Sequence, residues 1–173
     1  MKIVIVEGYT VNPGDLNWEN IATFGELIVY ERTSEHLIVE RCKDADIILS
    51  NKLPFNRETI LALPKTKLIC VLATGYNIID IKAAREKNIS VCNVPAYGIA
   101  SVAQHTFALL LELTNHVGIH AKSVVDGEWQ HAPDWCYTKT PIIEIADKIL
   151  GIIGFGNIGQ QVACTVSRIH QRA

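Results

Sequence analysis

Five short apolar runs, each followed by a helix-compatible polar stretch, fix what the first half of this chain can become. They are Lys2–Val6, Glu26–Tyr30, Asp46–Leu49, Leu68–Ala73 and Ser90–Asn93. Short, nearly continuous apolar runs bounded by turn residues suit strands buried on both faces. The stretches between them carry helix signals. Asp15 caps an expected helix over Asp15–Thr23, and Ser34 caps one over Glu35–Lys43. Asn56–Leu63 is stopped by Pro64, and Ile79–Lys87 is ended by Asn88. Strand and helix in alternation imply an α/β fold, a flavodoxin-like doubly wound parallel sheet over residues 1–98.

Beyond Pro95-Ala96-Tyr97-Gly98 the pattern changes. Ser101 is expected to cap a long helix from Val102 to about His120. Its apolar residues lie on nearly every side, which requires burial within the fold or against a second chain. Asp126–Thr140, with Trp129, Trp135 and Tyr137, reads as an extended arm. Helix and arm make up a middle segment, residues 99–146. Residues 147–173 then hold an expected strand, Ile149–Ile153, running into Gly154-Phe155-Gly156-Asn157-Ile158-Gly159 and a helix-compatible run, Gln160–Ile169.

An apolar strand followed by G-x-G-x-x-G opens the first βα unit of a Rossmann dinucleotide domain. Gly154 permits the tight turn, Gly156 lets the main chain approach a pyrophosphate, and Gly159 lets helix and strand pack closely. The helix N-terminus offers free N–H groups to phosphate. A purely structural glycine turn is the alternative. An acidic residue for the ribose is expected about 20 residues further on, and the chain ends at Ala173 before that position.

Other constellations are weaker. Thr74-Gly75, at the C-terminal end of the fourth strand, suits either an ordinary strand-to-helix turn or a nest of N–H groups for a carboxylate. His116 and His120 have zinc-ligand spacing but lack an obvious third ligand, so no metal site is expected. His105 has no acidic neighbour in sequence, and Ser101 reads as a cap rather than a nucleophile. The net charge of −2 and pI near 6.3 point away from nucleic acid and membrane surfaces. Five widely spaced cysteines without a C-x-x-C suggest reduced thiols in a cytoplasmic protein, with Cys70 and Cys92 inside strand-like runs.

Several of these stretches occur together, in this order, in one family. Ser50-Asn51-Lys52, Leu72 through Asp80, Val91 through Gly98, Ser101 through Leu113 and Leu150 through Ala163 resemble the D-isomer-specific 2-hydroxyacid dehydrogenases, in their glycerate dehydrogenase (hydroxypyruvate reductase) branch. The resemblance runs from Met1 to about Ala163. It implies a small flavodoxin-like substrate domain and an NAD domain entered through the long helix. It implies that Thr74 and Gly75 offer amides to the substrate carboxylate and that Leu53 lines the pocket. Thr106 would lie near the nicotinamide end of NAD, and Asn157 and Ile158, within the glycine turn, would contact the pyrophosphate. The helix and arm resemble the family's homodimer interface. The implied chemistry is hydride transfer between NAD(H) and a 2-hydroxy or 2-keto acid.

The family's catalytic histidine, carboxylate and arginine lie beyond the glycine motif, and none of the six histidines here matches the catalytic position. Asp147 stands where the family has a glycine, and the tail from Cys164 to Ala173 departs from the family pattern, suggesting a premature stop or frameshift rather than a deliberate boundary. The expectation is an inactive, truncated dehydrogenase with weak or no NAD binding. The competing reading is a non-catalytic, dimer-forming or regulatory module. A receiver-like or flavin-binding module lacks the acidic cluster or phosphate loop it needs at Val6-Glu7-Gly8-Tyr9-Thr10.

Overall fold

The computed structural model describes residues 1–170. The last part of the divergent tail, Gln171 to Ala173, lies outside the described residues. Two compact units are present, one from Met1 to Pro95 and one from Ala96 onward.

The first unit is the expected parallel sheet. Strands β1 (Lys2–Ile5), β2 (Glu26–Val29), β3 (Ile47–Ser50), β4 (Leu68–Val71) and β5 (Ser90–Asn93) lie in the order β2-β1-β3-β4-β5, every pairing parallel. This is the flavodoxin-type order, with the switch point between β1 and β3. Alternate residues serve opposite faces. Val4, Val6, Ile48, Ile69 and Val71 join Phe55, Ile60, Leu63 and Ala83 in the larger core. Ile3, Ile5 and Leu49 form a smaller one with Trp18, Leu27, Cys70 and Leu72. Each fully buried Val, Leu, Ile or Phe among them contributes about 1.5–3 kcal/mol.

The helices of this unit are short: α1 (Gly8–Val11), α2 (Glu19–Ala22), α3 (Ile38–Cys42), α4 (Arg57–Leu61) and α5 (Ile81–Glu86). The Asn56 side chain accepts the Thr59 amide at 2.9 Å, and Asp80 accepts the Ala83 amide at 2.9 Å, so the two caps set the starts of α4 and α5. Asn88 ends α5 in the left-handed region, φ 56°, as expected for a helix-stopping asparagine. Two expected helices shrink. Asp15 does not cap, because Asn12 Oδ1 takes the Gly14 and Leu16 amides and holds the segment in a turn until Glu19. Residues Glu35–Leu37 wind as a 3₁₀ turn before α3, with no side-chain cap from Ser34.

In the second unit, α6 runs from Ile99 to Asn115, α7 from Val117 to Val125 and α8 from Asn157 to His170. Several expectations are corrected. Ser101 lies inside α6 rather than at its cap. The long helix is broken at His116, which takes a left-handed φ of 49°. Of the two expected ways to bury its apolar surface, burial within the fold is not seen: only Ala103 is buried, while Leu109 and Leu113 are 53% and 70% exposed. The arm is tied down by turns rather than extended. Lys139 N–H donates to His120 Nε2 at 3.1 Å, and Trp129 Nε1 donates to the Trp135 carbonyl at 3.2 Å. Ile149–Ile153 forms no strand among the described residues, and Ile149 and Ile153 are fully exposed. A strand needs a paired neighbour for its main-chain groups, and among the described residues none pairs with this run. Of the expected βα unit, the turn and helix form.

Candidate functional site

In a doubly wound sheet the loops at the carboxyl ends of the strands carry the site. Here four such ends are fastened in two pairs, β1 to β3 and β4 to β5. At the end of β1, Glu7 is only 8% exposed. Its Oε2 accepts from Ser50 Oγ at 3.0 Å and from the amides of Asn51, Lys52 and Leu53 at 2.9, 2.7 and 3.0 Å. Burial pushes the Glu7 pKa up, but the Lys52, Leu53 and Asn51 amides and the Ser50 hydroxyl together outweigh it and hold the carboxyl below its ordinary range. Asn51 Nδ2 donates to Thr10 Oγ1, which in turn donates to the Glu7 carbonyl. Leu53 is thereby placed by its own amide.

The loop after β4 is fastened to the end of β5. Thr74 Oγ1 donates to the Val94 carbonyl at 3.1 Å, and Asn93 Nδ2 donates to the Thr74 carbonyl at 2.7 Å. The Val94 amide donates to the Ala73 carbonyl at 3.1 Å. Thr74 and Gly75 are both exposed, and among the described residues neither amide donates to a protein acceptor. Gly75 does not take a positive φ. Its value is space: an added Cβ would meet only Asn77 Oδ1, at 3.4 Å. The Leu53 and Thr74-Gly75 loops belong to adjacent strands, β3 and β4, whose last paired residues are Ser50 and Val71.

The other expected site residues lie in the second unit. Thr106 is exposed on α6, its hydroxyl donating back to the Val102 carbonyl at 2.9 Å. Gly154 has a φ of 88°, so the tight turn is real and needs glycine. A Cβ on Gly159 would collide with the Gly154 carbonyl oxygen, whereas Gly156 has open space around it. Asn157 and Ile158 begin α8, and Gln160 N–H donates to the Gly156 carbonyl at 2.9 Å. The first amides of a long helix beside an open glycine fit a diphosphate. Asp147, standing where the resemblance puts a glycine, is held at a left-handed φ of 57°.

The histidine pair has another occupation. His120 Nδ1 faces the His116 carbonyl at 2.9 Å, which can only accept, while Nε2 accepts from Lys139. Both ring nitrogens are engaged by main chain, and no group suited to a metal ion occurs among the described residues. No helix there is long and apolar enough to cross a membrane. Sequence reasoning missed Glu7. The available signal was an acidic residue directly following a buried strand.

Comparison with known proteins agrees with this fold. Residues 4–162 match the family described as D-isomer specific 2-hydroxyacid dehydrogenase, catalytic domain. A hydroxypyruvate reductase of Blautia hydrogenotrophica is 49% identical over 163 residues, 92% of this chain and 51% of the relative. A glycerate dehydrogenase of Methylorubrum extorquens is 38% identical over 135 residues, covering 78% of this chain and 43% of that protein. Among solved structures, an NAD-dependent formate dehydrogenase of Staphylococcus aureus in complex with NAD superposes with a TM-score of 0.69 at 30% identity, over 97% of this chain and 54% of its own. The chain thus spans about half the length of the curated relatives it matches. With the flavodoxin-type strand order, the fastened loops at its carboxyl edge and a family match over nearly the whole sequence, the chain belongs to the D-isomer specific 2-hydroxyacid dehydrogenase family.

Proposed function

We propose that this chain carries the substrate-recognition half of an NAD-dependent dehydrogenase of the hydroxypyruvate/glycerate type. The observation that carries the reading is the pair of exposed amides at Thr74 and Gly75, on a loop fixed at both sides to the end of β5. Amides without a protein acceptor suit the carboxylate of a 2-keto or 2-hydroxy acid. Leu53, fixed through Glu7, supplies the apolar wall beside it. Residues 1–98 form the substrate domain, 99–146 the helix and dimerisation arm, and 147–173 the start of the NAD domain. In that last segment Gly154, Gly156, Asn157, Ile158 and Gly159 hold the pyrophosphate, and Thr106 meets the nicotinamide end. NAD, when bound, supplies the hydride at its C4 position. The protein's part is to fix the acid by its carboxylate so that the carbinol carbon is presented in one orientation.

The 173-residue chain by itself is expected to bind the acid, to bind NAD weakly at most, and to turn nothing over. Titration of the labelled chain with hydroxypyruvate, followed by amide NMR, tests this. Shifts centred on Thr74 and Gly75 are expected. Shifts elsewhere with these two amides unmoved refute the carboxylate site, and steady NADH oxidation by highly purified chain refutes the inactivity.

A second reading rests on the exposed leucines of α6 and on Trp135, 87% exposed in the arm. Exposed large apolar side chains in this number suit an association face, and we propose that they join two copies in a cytoplasmic homodimer. Light scattering at micromolar concentration distinguishes dimer from monomer.

A further inference from the structure

Cys70 and Cys92 are register partners on the adjacent parallel strands β4 and β5. They project from the same face of the sheet, and their Sγ atoms are 3.4 Å apart. Neighbouring strands lie ~4.8 Å apart, inside the Cα separation of ~4.4–6.8 Å that a disulfide accepts. The sulfurs are already in contact, and closing a bond between them requires rotation about the Cα–Cβ bonds and a small approach of the two strands. The two thiols differ in setting. Cys92 is exposed on the edge strand and lines an open cavity of about 510 Å³ shared with Tyr76 and Arg85. Cys70 is half-buried, packed with Leu49 and Leu72 in the smaller core. Burial first, and then the Cys92 sulfur beside it, pushes the Cys70 thiol up to about 12.

We infer that Cys70 and Cys92 form an oxidation site, with Cys92 taking oxygen from a hydroperoxide and Cys70 closing an intrachain disulfide. In the first step the Cys92 thiolate attacks the peroxide. An S–O bond forms, the O–O bond breaks, and the alcohol or water departs with the proton that the Cys92 thiol gave up on ionising. In the second, the Cys70 sulfur attacks Cys92 Sγ. The S–S bond forms, the S–O bond breaks, and the Cys70 proton leaves with the hydroxyl as water. Two thiols are oxidised and one hydroperoxide is reduced to an alcohol, or water, plus water. The site is independent of the dehydrogenase reading, yet Cys92 directly precedes Asn93, which holds the Thr74 carbonyl.

The test is to treat the reduced 173-residue chain with hydrogen peroxide, alkylate it, and record intact and peptide masses. The expected product is monomeric, lighter by two hydrogens, with two fewer alkylated thiols. Its only cross-linked peptide should join Cys70 to Cys92, and dithiothreitol should reverse the bond. Cys70→Ser should stop at a Cys92 sulfenic acid that dimedone traps, and Cys92→Ser should give no intrachain bond. The inference is overturned if wild-type Cys92 accumulates as the dimedone adduct, if both thiols remain alkylable while exposed Cys136 oxidises, or if the bond formed joins two chains.

Discussion

The carboxylate of Glu7 holds the main chain of Lys52 across the β1–β3 switch point, Oε2 accepting the Lys52 amide at 2.7 Å. Three further donors converge on the same oxygen. A full negative charge is what makes one oxygen acceptable to four donors. Glu7→Gln removes that charge while keeping the shape. The expected cost is about 1–3 kcal/mol, since two or more of those donors lose a good acceptor. Urea unfolding at neutral pH measures it, and an unchanged midpoint would refute the role.

The same group sets a pH dependence. The folded pKa of Glu7 lies below its ordinary value of 4.5. Its contribution is therefore complete above about 4.5 and is lost as pH falls through the depressed folded value. Wild-type stability should decline over that acid window. Glu7→Gln should lack this component of the decline, so the two unfolding midpoints converge as pH drops. Parallel curves for the two proteins would show that Glu7 is not the group responsible.

Phe55 tests the core. It is fully buried between the sheet and α4, and its main chain bonds to Ile78 and Asp80 on the far side of the loop. Phe55→Ala should cost about 3–5 kcal/mol, the range for deleting a buried aromatic. Chemical denaturation reads this directly. A loss below about 1 kcal/mol would mean the site collapses to fill the void.

What the sequence made legible follows from what each feature needs. The parallel sheet was readable because strands buried on both faces write themselves as apolar runs, and Asn56 and Asn88 announced helix ends through local chemistry. The role of Glu7 was not readable, because its four partners lie more than 40 positions away and meet it only when β1 pairs with β3. The Ile149–Ile153 run has strand composition but no partner strand beside it, and composition alone does not supply hydrogen bonds. Helix α6 shows the opposite case. Its apolar residues form the helix as expected, while their burial depends on what lies against them, which periodicity does not specify.

Gly75 separates binding from stability. Its φ is not left-handed, and an added Cβ meets only Asn77 Oδ1 at 3.4 Å, an ordinary contact. Gly75→Ala should therefore fold with a stability within about 0.5 kcal/mol of wild type, as for a surface change without strain. The methyl group nonetheless adds bulk beside the amides proposed to meet a carboxylate. Affinity for hydroxypyruvate, read from the amide shifts of Thr74 and residue 75, should weaken by about tenfold, or ~1.4 kcal/mol. Acetaldehyde, which has no carboxylate, serves as the control, and its weak binding should be unchanged. Equal loss for both ligands would show that the methyl merely blocks the cleft, and unchanged binding of both would place the carboxylate elsewhere on the sheet edge.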